Sequence, residues 1–250
     1  LKKKLIKEIK ETVGDDEVLM GTSGGVDSTV AAVLMHEAIG KRLHCVFIDH
    51  GMIRKNERQD VEREFKKHFK FENFYSVDAS SIFLKKLKGV VDPEEKRKII
   101  GHTFIEVFER KAKELEKKHS GIKFLGQGTI YPDRIESAQP SKHASKIKSH
   151  HNLTLPEKMN LKVIEPLKDL YKDGVRKLGN GLGIPSELLG RHPFPGPGLG
   201  IRILGEVTSE RLEILKEADY IFISELKESG QYDKVWQALA ALLPVKSVGV

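Results

Sequence analysis

The chain has 250 residues, 39% of them apolar and 32% charged, with a net charge of +7 and a pI of about 9.2. That length and apolar content support one large domain, or one domain plus a small second one, with a real core. No apolar run approaches a membrane span, the N-terminal Leu1-Lys2-Lys3-Lys4 carries no secretion-type apolar stretch, and the single cysteine, Cys45, cannot form an internal disulfide. These features point to a reducing, cytoplasmic setting with no membrane partner. The basic balance suits anionic ligands. Lysine runs such as Lys111, Lys113, Lys117 and Lys118 carry no interleaved aromatic residues, which argues against nucleic acid.

In chain order, an apolar run over Val18–Gly21 predicts a buried parallel strand, and Thr29–Met35 after it predicts a helix with an apolar face. Between them stands Ser23-Gly24-Gly25-Val26-Asp27-Ser28. Paired glycines permit a sharp turn with exposed amides, the two serines add hydroxyls, and the helix start adds a positive dipole end. This is a phosphate cradle, and it lacks the Gly-Lys-Ser/Thr ending of a Walker A loop. Further strands are predicted at His44–Asp49, Asn73–Val77, Lys123–Gly126 and Leu161–Ile164. Asn56 opens a helix through Phe69, and Asp92 caps a long helix running from Pro93 towards His119. Alternating strands and helices imply an α/β fold, a doubly wound parallel five-stranded sheet with helices on both faces. Ligands in such sheets bind beyond the carboxyl ends of the strands. The loops 23–28, 49–51 and 127–129 all follow strands and are expected to converge.

Residues 131–156 are long, polar and poor in periodicity, and they read as a lid. The Pro/Gly cluster 191–200 reads as a rigid loop and possible boundary. Ser209–Ser229 is predicted helical, with Leu212, Leu215, Ala218, Tyr220 and Ile223 facing inwards.

The motif Ser-Gly-Gly-Val-Asp-Ser resembles the pyrophosphate loop of the ATP pyrophosphatase superfamily, whose members split ATP between the α- and β-phosphates. Four more segments resemble the GMP synthetase family: Glu95–Gly101; Gln127–Ser137 continued by Ile147–Asn152; Arg191–Leu199; and Leu243–Val250. The resemblance implies a C–N ligase that uses ATP and Mg²⁺ to adenylate XMP, then aminates it with ammonia to give GMP and AMP. It implies that Ser23, Gly24, Gly25, Val26, Asp27 and Ser28 hold ATP phosphates. Asp27 either reaches Mg²⁺ or stabilises the helix start. Ile48 and Phe104 would flank adenine, Phe104 being equally a core aromatic. Asp133 and Glu136 would organise the adenylation site or take a proton from ammonium. Lys148 would reach phosphate when the lid closes. His150 and His151 would donate to phosphate or steady the closed lid, since two adjacent histidines alone lack the ligands of a zinc site. Arg191, Pro195, Gly196, Pro197 and Gly198 would meet XMP. The resemblance divides the chain into an ATP-pyrophosphatase domain, 1–200, and the first part of a dimerisation domain, 201–250, so that a longer polypeptide, a homodimer and a separate or fused glutaminase are expected. The alternatives are another ATP pyrophosphatase, of the NAD synthetase or tRNA-thiolation type, and a nucleotide-binding module without catalysis.

Overall fold

The structure, a computed structural model, describes residues 1–138 and 160–245, with backbone alone for 136–138. Five strands form one parallel sheet in the order β3-β2-β1-β4-β5, with helices on both faces. They are β1 (Glu17–Thr22), β2 (Leu43–Asp49), β3 (Phe74–Asp78), β4 (Ile122–Gly126) and β5 (Lys162–Ile164). All five lie within a residue or two of their predicted bounds, because each is a short apolar run between clear stop signals. β1 is central: Val18 to Thr22 align with Leu43 to Phe47 of β2, and Met20 aligns with Gly126 of β4. The chain moves outwards from β1 on one side and then returns to its other side. That reversal opens a crevice at the carboxyl end of β1.

α1 (Lys2–Val13) and α2 (Val26–Ile39) follow the same logic of burial. Ten residues of α2 are buried, from Val26 to Ile39, so it is apolar nearly all round, as a helix packed on several sides must be. α3 (Glu57–Arg63) ends in a five-residue π-helical turn, Glu64–His68, so the predicted helix through Phe69 is two geometries in series. α4 (Ser80–Leu87) and α5 (Pro93–Lys118) follow. The Asp92 carboxylate accepts from the Glu95 amide at 2.8 Å, the cap that the sequence predicts. α6 (Tyr131–Ala138), α7 (Lys172–Gly181), α8 (Ser186–Leu189) and α9 (Ser209–Glu228) complete the described helices. Residues 131–138, the start of the expected lid, are thus helical. Lys148, His150 and His151 lie outside the described residues.

The chain forms two compact units. The first takes residues 1–48, 59–77 and 105–191, and holds most of the sheet. The second takes 49–58, 78–104 and 192–250, so it reaches back well before the expected boundary at 200. Its centre of charge corrects one expectation. On α9 the buried residues are Leu212, Leu215, Asp219 and Ile223, whereas Ala218 is exposed and Tyr220 is 45% exposed, so neither faces inwards as expected. The helical period from Leu212 and Leu215 runs through position 219, and Asp219 is tolerated there because two arginines meet it. Arg54 Nε lies 3.2 Å from one carboxylate oxygen, and Arg202 Nη1 donates to the other at 3.3 Å. Both guanidinium groups also lie over the Phe194 ring, 4.8 and 5.0 Å from its centroid. Burial, with Arg54 close by, lowers the pKa of Arg202, and Asp219 opposes that shift.

Candidate functional site

β1 ends at Thr22, and the backbone then turns through Ser23-Gly24-Gly25 into α2. Gly24 has φ +74°, and a Cβ there would lie 2.7 Å from Val61 Cγ2. Only glycine satisfies both constraints. Gly25 is the N-cap of α2 and offers no side-chain cap, so the first-turn amides of α2 lack the usual local acceptor.

The loop is held by its own hydroxyls. Ser28 Oγ donates to the Gly25 carbonyl at 3.1 Å and accepts from the Ser23 amide at 3.3 Å. Ser23 Oγ accepts from the Gly25 amide at 3.3 Å and lies 3.1 Å from Ser28 Oγ. Thr22 Oγ1 accepts from the Gly24 amide at 3.5 Å. Three consecutive amides are therefore paired at 3.3–3.5 Å, well beyond the usual 2.9–3.0 Å optimum. An anionic oxygen would form shorter and stronger bonds to the same donors. The loop is a preformed nest whose internal bonds are easily exchanged.

Neighbouring elements close around it. After β4, a Cβ on Gly128 would lie 3.0–3.2 Å from the backbone of Asp27 and Ser28, so this glycine lets the strand-end loop pack on the start of α2. The predicted convergence of 127–129 with 23–28 follows from that close approach. Residues 49–51 belong to the second unit. There Asp49 accepts from the Gly51 amide at 2.7 Å, and burial raises its carboxyl pKa against that hydrogen bond. Arg191 Nη1 donates to the Gly24 carbonyl at 3.3 Å, so Arg191 stands at the loop after β1.

Pro195, Gly196, Pro197 and Gly198 fall in the second unit, where Gly198 has φ +64° and a Cβ would lie 2.2 Å from the Met52 carbonyl. The Leu199 amide donates to that carbonyl at 2.7 Å, which locks the Pro/Gly loop to the segment after β2. His50 is buried beside it and accepts from the Met52 amide at 3.1 Å. Burial holds its pKa down at about 4.

Asp133 accepts from the Ile130 amide at 3.0 Å and so serves at the start of α6. The Glu136 side chain is outside the described residues. Ile48 is buried at the end of β2, and Phe104 is half-buried on α5.

One residue of the site is missing from the sequence reading. Lys172, the first residue of α7, donates to both carboxylate oxygens of Asp27 at 2.8 and 2.7 Å. A cation at a helix start opposes the helix dipole, and that misfit is the signal that could have found it. Asp27 has the all-oxygen chemistry that Mg²⁺ takes, and a cation there would displace Lys172 from at least one oxygen.

The NAD synthase family model matches residues 1–90. The chain is 63% identical over 246 residues to the glutamine-hydrolysing GMP synthase of Thermotoga maritima, covering 98% of this chain and 48% of that protein. It is also 63% identical to the GMP synthase of Aquifex aeolicus, covering 98% of this chain and 47% of the relative. The chain is a homologue of the GMP synthases. This homologue spans about half the length of the curated relatives that it matches.

Among solved structures, NMN synthetase from Francisella tularensis aligns with TM-score 0.57 at 15% identity, covering 96% of both chains. The NH3-dependent NAD synthetase from Campylobacter jejuni aligns with TM-score 0.54 at 14% identity, covering 91% of this chain and 85% of that one. Both show a shared fold. No helix among the described residues is long and apolar enough to cross a membrane.

Proposed function

We propose that this chain is the synthetase part of a GMP synthase: it adenylates XMP with ATP and aminates the product with ammonia. The observation that carries the reading is the nest after β1, set in a chain 63% identical to GMP synthases over 98% of its length. The amides of residues 23–25 and the first turn of α2 hold the β- and γ-phosphates as pyrophosphate leaves. Arg191 and Lys172 supply positive charge beside that leaving group. Bound Mg²⁺, with Asp27 as its protein ligand, would supply further charge neutralisation on the phosphates.

The oxygen on purine carbon 2 of XMP attacks the α-phosphorus, and the bond to the bridging oxygen of pyrophosphate breaks. Ammonia then attacks carbon 2, loses a proton, and AMP departs with the purine oxygen. Asp133 and Glu136 organise this step or take that proton, and Lys148, His150 and His151 close on the phosphates from the lid. Ile48 and Phe104 flank adenine, while Pro195–Gly198 meet XMP. Ammonia comes from solution or from a fused or separate glutaminase. Residues 201–250 begin a dimerisation domain in this reading, and exposed Ile214, Ile221 and Phe222 on α9, with Trp236 at 81% exposure, supply apolar surface for a second copy.

The test is incubation with ATP, Mg²⁺, ammonium and XMP, with pyrophosphate, AMP and GMP followed together. All three are expected in equal amounts and only when XMP is present. Pyrophosphate release that ignores XMP but requires another acceptor, such as an NAD precursor, would refute the reading.

A further inference from the structure

Among the described residues, one group of three metal-ligating side chains converges: Glu17, His44 and His119. It sits at the amino end of the sheet. Glu17 opens β1, His44 is the second residue of β2, and His119 lies in the turn between α5 and β4. The phosphate loop leaves the opposite end of β1, so this group takes no part in the chemistry described above.

His44 Nε2 lies 2.6 Å from Glu17 Oε2, and His119 Nδ1 lies 3.7 Å from the same oxygen. The two imidazole centroids are 4.3 Å apart. His44 is only 1% exposed, whereas Glu17 and His119 are about a quarter to a third exposed, at 26% and 32%, so the group has a buried floor and an open mouth. Its surroundings hold the ligands in place. The Glu17 amide donates to the Gly121 carbonyl at 2.6 Å, and a Cβ on Gly121 would lie 3.0–3.2 Å from the Glu17 side chain, so glycine clears the carboxylate's path. The Ile122 amide donates to the His119 carbonyl at 3.2 Å, which fixes the turn. On the far side of His44, Nδ1 lies 3.5 Å from Tyr75 Oη, which donates to Asn73 Oδ1 at 3.3 Å. A liganding imidazole needs such an outer acceptor for its second nitrogen.

We propose that Glu17, His44 and His119 form a binding site for Zn²⁺, with water as the fourth ligand. Two imidazoles and one carboxylate are a donor set for a borderline cation, and Mg²⁺ takes oxygen instead. Tetrahedral Zn²⁺ at about 2.0–2.1 Å from each donor needs donor atoms roughly 3.3 Å apart. The Glu17–His44 pair must therefore open and the Glu17–His119 pair must close, each by well under 1 Å. In the metal-bound form Nε2 gives its electron pair to Zn²⁺, and the ring proton resides on Nδ1, facing Tyr75. The nearby ammonium groups do not oppose this freely. Lys111 and Lys118 are both paired with Glu114, at 3.0 and 2.8 Å. The ion would tie the starts of β1 and β2 to the α5–β4 turn, a structural role that adds to stability by mass action.

The test is calorimetric titration of chelator-stripped protein with zinc chloride, with thermal midpoint as a second readout. One saturable ion per chain and a raised midpoint are expected. His119→Ala should weaken binding at least tenfold and abolish the midpoint shift, while the double variant His150→Ala/His151→Ala should keep both. Co²⁺ in the same site should give the intense visible bands of four-coordination, and His119→Ala should lose them. Should His119→Ala fail to fold by circular dichroism, Glu17→Gln carries the same expectation. Absence of saturable binding at micromolar Zn²⁺, unchanged binding in His119→Ala, or loss of binding only in the His150/His151 variant would each overturn the proposal.

Discussion

The loop after β1 and the charge cluster around Asp219 use the same kinds of interaction to opposite ends. In the loop, three amides rest on hydroxyls at 3.3–3.5 Å in a backbone that only glycine can adopt at Gly24. Geometry is fixed and the hydrogen bonds are weak, which suits a place where a ligand must exchange them. Around Asp219, a carboxylate only 2% exposed is shared by two arginines that also lie over Phe194. These groups pair by charge inside the second unit, although Arg54 Nη2 and Arg202 Nη2 are buried without a hydrogen-bond partner, so the shared carboxylate is their main compensation. A weakly bonded backbone turn suits ligand binding, while a buried charge cluster suits a structural role.

Substitutions should separate the two. Asp219→Ala leaves two largely buried guanidinium groups without their carboxylate and should lower the unfolding free energy by about 3–5 kcal/mol, read from denaturant midpoints. If the change is under 1 kcal/mol, the cluster is not what holds its unit together.

The next largest effect is a pH dependence in the same unit. The folded-state pKa of His50 is depressed from 6.5 to about 4, so stability is complete above pH 6.5 and declines as pH falls, because the unfolded chain takes up a proton first. The loss should reach about 3 kcal/mol by pH 4, given 1.36 kcal/mol per unit. His50→Asn, which keeps an acceptor for the Met52 amide, should flatten that part of the stability profile.

In the loop the balance should reverse. Gly24→Ala meets Val61 and a left-handed backbone, and the displaced amides should lower kcat/KM for ATP by about 100-fold. The expected loss of kcat/KM would exceed anything explained by unfolding, as judged by circular dichroism at the assay temperature. Lys172→Met should have the smallest effect, about a tenfold rise in KM for ATP, in line with one charge-assisted hydrogen bond. A KM unchanged in that variant would leave Lys172 as the partner of Asp27 alone.

Much of this was legible before the structure. The strands, the Asp92 cap and the glycine turn are local features, set by residues adjacent in sequence, and Asp92 behaves as its position predicts. The pairing of Lys172 with Asp27 was hidden because 145 residues separate them. The burial of Asp219 was hidden because a charged residue on a helix reads as surface until its partners are known. In sequence Arg191 belongs with the Pro/Gly loop that follows it, yet its guanidinium reaches the Gly24 carbonyl. Local pattern gives the elements, and long-range charge pairing needs coordinates.

The central claim is that the oxygen attacking ATP comes from carbon 2 of XMP. The most direct measurement is one turnover with XMP carrying ¹⁸O at that position, together with ATP, Mg²⁺ and ammonium, followed by mass spectrometry of the products. The expected result is one ¹⁸O in the phosphate of AMP and none in pyrophosphate or GMP. Label in inorganic phosphate, or AMP formed without label, would contradict it.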